Sequence, residues 1–156
     1  MQTGPIGATL EPGPEIERGA GMSERLLLPA VPTSIARARH WISDLARRAQ
    51  AGPATERTLA LLTSELLTNA IVHTGATAPI AVSAEIRHDA VRVAVTDTDT
   101  TLPVVRPTSP GRPGGNGMRI VDTLSSTWGV DVHPGVGKTV WFEAPVSLRS
   151  GALASA

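Results

Sequence analysis

The stretch Leu61 to Gly75, LLTSELLTNAIVHTG, constrains this chain more than any other. Read at a helical period it is apolar almost all round, yet Glu65 and Asn69 stand four residues apart and so share one stripe. Leu62 and Leu66 flank that stripe on one side, Leu61 and Val72 on the other, which leaves no broad solvated face for the two polar groups. An unpaired carboxylate is costly to bury. Glu65 therefore needs a partner: a bound cation or nucleotide, or a neighbouring polar group. The alternative is a polar stripe that merely touches water at a groove.

Composition closes off several classes of function. With 156 residues the chain is one domain's worth and can bury a core without staples. Its net charge of zero gives no electrostatic footprint for nucleic acid or an anionic membrane. Three Trp, one Phe and no Tyr make a poor stacking platform for single strands. The absence of Cys removes disulfides, thiol catalysis and thiolate metal sites together. The four His residues show no ligand spacing, and no apolar run approaches the length of a membrane span. A cytoplasmic location is expected. Of the fourteen basic residues only Lys138 is a lysine, which reads as a mark of genome composition rather than of function.

Along the chain, Met1 to Gly21 is rich in Gly and Pro and is expected to be a disordered leader. A folded domain over 22–146 and a disordered tail over 147–156 follow. Arg25 to Leu28 reads as an edge strand before Pro29. Ser34 is placed as the N-cap of a helix reaching about Ala49, with Ile35, Ala38, Ile42, Leu45 and Ala49 as its buried stripe. After Gly52 and Pro53, a second helix runs from near Thr55 to about His73, with Gly75 as its stop. Ile80 to Arg87 and Val91 to Asp97 alternate as a hairpin. Thr98 to Asn116 is a long irregular stretch, of the kind that is usually functional or disordered. A helix over Gly117 to Leu124 and strands over Thr127 to Val132 and Thr139 to Glu143 complete the pattern. The expected product is a two-layer α/β sandwich: a mixed, largely antiparallel sheet covered on one face by three helices.

Three more segments carry chemistry. Asp97 ends an alternating strand, and an ionised carboxylate there is a pure hydrogen-bond acceptor. Gly114, Gly115 and Gly117 precede a helix, and glycines beside a helix N-terminus let backbone amides reach an anion. Gly137-Lys138-Thr139 is not a P-loop, because the upstream glycine and the following helix are missing. Each motif alone has a bland reading, as a turn former, a loop-to-helix turn or a hairpin residue.

Their order is more specific. A helix with Glu65 and Asn69, a strand ending in Asp97, a glycine loop opening a helix, and a closing hairpin with Gly-Lys-Thr together resemble the GHKL (Bergerat-fold) ATP-binding domain of gyrase, Hsp90, histidine kinases and MutL. Within it the chain is most similar to the stand-alone anti-sigma-factor serine/threonine kinases. The resemblance implies ATP and Mg²⁺ as ligands. Asp97 would accept from the adenine amino group, with the Thr139 hydroxyl beneath the base assisting it. Gly115, Asn116, Gly117 and Met118 would hold phosphates, Asn69 would coordinate Mg²⁺, and Glu65 would act as general base. The family's D-x-G-x-G pattern is absent, since Asp97 is followed by Thr98-Asp99-Thr100-Thr101. The implied function is phosphorylation of a protein antagonist and regulation of a sigma factor; the alternative is a non-catalytic, ATP-dependent binding switch. Protein partners are expected, with no direct nucleic-acid or membrane contact, and a homodimer is compatible.

Overall fold

Strict alternation builds the middle of the sheet. In β4 (Ala90–Asp97) Val91, Val93, Val95 and Asp97 are buried while Arg92, Ala94 and Thr96 are half-buried on the other face. The computed structural model describes residues 18–19, 21–75, 78–107 and 116–146. In chain order the remaining elements are β1 (Arg18–Gly19), β2 (Gly21–Leu28), α1 (Thr33–Arg48), α2 (Pro53–Thr74), β3 (Ile80–Ile86), α3 (Gly117–Leu124), β5 (Thr127–His133) and β6 (Gly137–Pro145). The strands form one sheet in the order β1-β2-β3-β4-β6-β5, and every neighbouring pair is antiparallel.

The helices cover one face, as the sequence led us to expect. α1 packs on α2, and α2 in turn lies against β4, β6 and α3. Pro53 at the first turn of α2 is preset for a helix, and Gly75 at its end takes a positive φ of 70°. The core between the layers is aliphatic: of the largest fully buried side chains, which include Ile42, Leu59, Leu62, Val82 and Val93, only Phe142 is aromatic. Each such burial contributes about 1.5–3 kcal/mol. On the far face of the sheet the Arg92 guanidinium stacks 3.8 Å from the centroid of the Trp141 ring. Gly129 makes room for that ring, since a Cβ there would lie 2.5 Å from it. Next to Gly129 on β5, Trp128 Nε1 donates to Asp122 Oδ1 of α3 at 2.8 Å.

Several local expectations change. β2 starts at Gly21 rather than Arg25, and the two residues of β1 pair outside it. Glu24 is buried on its inner face, where Arg48 grips both carboxylate oxygens; Nη2 reaches Oε2 at 2.9 Å. Ser34 does not cap α1. It is buried, and its hydroxyl donates to the Pro29 carbonyl at 2.7 Å, holding the strand-to-helix corner instead. Ala46, not Ala49, completes the buried stripe of α1. Leu61 and Val72 are exposed, so α2 has an uncovered outer side after all. A helical wheel shows which residues share a stripe but not which neighbour covers it. The leader up to residue 17 and the tail over 147–156 lie outside the described residues.

Candidate functional site

Two helices and two strands meet around one cavity of about 580 Å³. α2 supplies Glu65 and Asn69, and the first turn of α3 is pressed against them. A Cβ on Gly117 would lie 2.7 Å from Glu65 Oε2 and 3.7 Å from the side-chain oxygen and nitrogen of Asn69. Glycine is what allows the helix end to come so close. By helix geometry the first-turn amides of α3 lack intrahelical acceptors, so they stand as donors beside a carboxylate and a carboxamide. Among the described residues neither Glu65 nor Asn69 makes a side-chain hydrogen bond or ion pair. Glu65 is half-buried rather than buried, so water in the cavity can solvate its carboxylate, and the side chain is left available to a ligand.

The opposite end of the cavity belongs to the sheet. Asp97 ends β4, Lys138 is the second residue of β6, and the two are direct register partners. They approach because Gly137 precedes Lys138: its φ is +151°, and a Cβ there would sit 1.9 Å from the Asp97 carbonyl oxygen. No other residue type fits that crossing. Asp97 and Lys138 are both nearly fully buried, at 4% and 3% exposure. Lys138 Nζ donates to Asp97 Oδ1 at 3.0 Å and to the Asp99 carbonyl at 2.9 Å. Asp97 Oδ1 also accepts the Asp99 backbone N–H at 2.8 Å. Burial works against the Asp99 carboxylate, but hydrogen bonds from Thr101 and the Lys138 charge hold it below the usual aspartate range.

Between these polar ends the walls are apolar, with Leu66, Val95, Met118 and Val140 among them, and Leu102, Val104 and Arg106 close one side. A slot of this size with convergent polar groups at both ends suits a small molecule that has a flat apolar part and an anionic part. Glu65, Asn69, Asp97, Asn116, Gly117 and Met118 all line it, so these sequence-derived candidates come together from three separate elements, α2, β4 and α3 with its N-cap. Gly115 lies outside the described residues.

Thr139 does not belong to the cavity. Its neighbours on β6, Val140 and Phe142, alternate into the core, which turns the Thr139 side chain to the far face. There its hydroxyl bonds to Thr96 at 2.8 Å and His133 Nε2 at 2.9 Å. The inward residue at this point is Lys138, which composition alone had set aside. The alternation of Val140 and Phe142 with Lys138 was the signal that could have found it.

The donor set fits Mg²⁺ held mainly by phosphates. Such an ion takes one or two protein oxygens and keeps the rest of its octahedron for phosphate and water. Asn69 Oδ1 can supply one ligand, with Glu65 beside it. Among the described residues there is no cluster of three or more His, Asp or Glu that would form an all-protein cage.

A family model for the histidine kinase-like ATPase domain matches residues 28–143, and the chain belongs to that family. The antiparallel sheet with three helices on one face is the GHKL type of fold. No curated protein matches the chain. Among solved structures it is similar to the RsbU and RsbW domains of Rv1364c from Mycobacterium tuberculosis, with a TM-score of 0.63 and 20% identity. That match covers 80% of this chain but only 32% of the other, so the likeness concerns a shared fold within a longer protein. The catalytic domain of the histidine kinase ThkA, in a nucleotide-free form, aligns with a TM-score of 0.45 and 17% identity over 79% of this chain and 97% of its own. No helix among the described residues is long and apolar enough to cross a membrane.

Proposed function

We propose that the chain binds ATP with Mg²⁺ and transfers the γ-phosphoryl group to a serine or threonine of a partner protein, as an anti-sigma-type kinase. The observation that carries this reading is Glu65. Its carboxylate has no partner among the described residues, lines the cavity, and lies against the amide end of α3 at Gly117. In this reading the base packs between the apolar walls toward Asp97, and the phosphates lie along the first turn of α3. Asn69 would hold Mg²⁺, which supplies charge neutralisation on the phosphates. Glu65 would take the proton of the acceptor hydroxyl as its oxygen bonds to the γ-phosphorus and the bond to the ADP oxygen breaks. The partner would be an anti-sigma antagonist, and a sigma factor would be the protein regulated.

Labelled ATP, the protein and a candidate antagonist test this directly. Glu65→Gln should still bind ATP while phosphotransfer falls by about two to four orders of magnitude, the usual contribution of a positioned base. A second reading draws on the missing glycines after Asp97: a switch that binds partners according to nucleotide without transferring phosphate. Nucleotide-dependent partner binding by a wild type that transfers no phosphate to any partner would select that reading.

A further inference from the structure

Lys138 is the one lysine in a chain whose other thirteen basic residues are arginine, and it stands beside the carboxylate at the base end of the cavity. The choice of cation has a geometric consequence. An arginine fork engages both oxygens of a carboxylate, as Arg48 does on Glu24. An ammonium is a point donor and takes one. Here Lys138 and the Asp99 N–H both bond to Oδ1 of Asp97, which fills the two lone pairs of that oxygen. Oδ2 receives no hydrogen bond among the described residues. Burying such a pair is weak evidence of a role in stability, because apolar residues of similar volume often serve as well.

We propose that Lys138 is a specificity-determining residue of the base site. By bonding to Oδ1 and not Oδ2 it joins the Asp99 N–H in fixing the rotation of the Asp97 carboxylate and leaves Oδ2 as a single acceptor for an exocyclic amino group. A 6-aminopurine places a donor there. A 6-oxopurine places an oxygen there, and two acceptors face each other. Without Lys138 only the Asp99 N–H holds Oδ1, and the carboxylate can turn more readily to offer both oxygens to the adjacent N1–H and N2–H donors of guanine. This inference rests on the nucleotide reading above and extends it to the choice of base.

The test is calorimetric titration of ATP and GTP into wild type, Lys138→Arg and Lys138→Met, with thermal melting of each. Wild type should prefer ATP. Lys138→Arg keeps the charge and the ion pair, melting checks that the bulkier side chain still folds, and ATP affinity should fall by about tenfold or more as the fork takes Oδ2. Lys138→Met should lower the ATP-to-GTP preference by about tenfold, a ratio that a purely structural role would not move. If either variant fails to fold, Lys138→Gln serves: its amide donates to one oxygen only, and the preference should stay within a few-fold of wild type. ATP binding with unchanged affinity in folded Lys138→Arg, an unchanged preference in folded Lys138→Met, or a collapsed preference in folded Lys138→Gln would each overturn the role of Lys138 while leaving the nucleotide reading intact. A wild type that binds neither nucleotide would overturn both.

Discussion

Two buried carboxylates, on strands separated only by β3, differ in one respect that separates scaffold from site. Glu24 on β2 is 5% exposed, and Arg48 takes both its oxygens. Asp97 on β4 is 4% exposed, and its cation partner takes one. Burial and charge pairing are nearly equal, so neither marks function. What differs is the acceptor capacity left over. Glu65 extends the series, for among the described residues it has no partner at all and is only half-buried beside the end of α3. Saturation therefore falls from the closed edge of the fold toward the cavity.

The most severe way to break this contrast is Gly137→Ala. It places a methyl group on the Asp97 carbonyl and forces a backbone that only glycine adopts readily. A loss of about 3 kcal/mol or more in denaturant unfolding is expected, and ATP affinity should fall with it. Unchanged stability would mean that the β4–β6 crossing is softer than its geometry implies. Gly117→Ala acts at the other end, against the tip of a flexible side chain. Folding should be nearly untouched, while displacement of Glu65 by about an ångström should slow phosphotransfer by roughly a hundredfold. Equal transfer rates would detach Glu65 from the chemistry.

Asp97→Asn sharpens the comparison. The amide keeps one acceptor for Lys138 and turns its NH₂ toward the base, so ATP affinity should drop roughly tenfold or more by calorimetry. The smallest effect belongs to the closed pair. Glu24 has its pKa lowered, first by the hydrogen bond from Arg48 and despite burial. A depressed carboxylate stabilises fully above its unfolded pKa and loses that contribution as pH falls through the folded value. The melting-temperature gap between wild type and Glu24→Gln should therefore shrink on acidification below the ordinary glutamate range. Arg48 is half-exposed, which limits the pair to about 1 kcal/mol. A gap independent of pH would remove Glu24 from the acid response.

Elements governed by local pattern were legible in the sequence. The period-2 run of Val91, Val93 and Val95 predicts β4, and the helical period around Glu65 and Asn69 predicts α2 with both polar groups on one stripe. What escaped depends on partners distant in the chain. Lys138 meets Asp97 only through the β4–β6 register, 41 residues apart, and a count of lysines carries no register. Thr139 was assigned by its place in a motif, although the core positions Val140 and Phe142 already turned it outward. Ser34 looks like a cap because it precedes an apolar period, but the Pro29 carbonyl takes its hydroxyl first.

The Trp128–Asp122 hydrogen bond turns the fold into its own optical instrument. With no tyrosine and three tryptophans, intrinsic emission comes from the indoles alone. Trp41 lies on α1 and Trp141 is part of β6, whereas Trp128 is tied by its N–H to Asp122 in the last turn of α3. The same helix presents its first turn to the cavity. On the proposed reading, a nucleotide that draws α3 inward would strain or free that indole N–H, and tryptophan emission would then report its binding without any attached label.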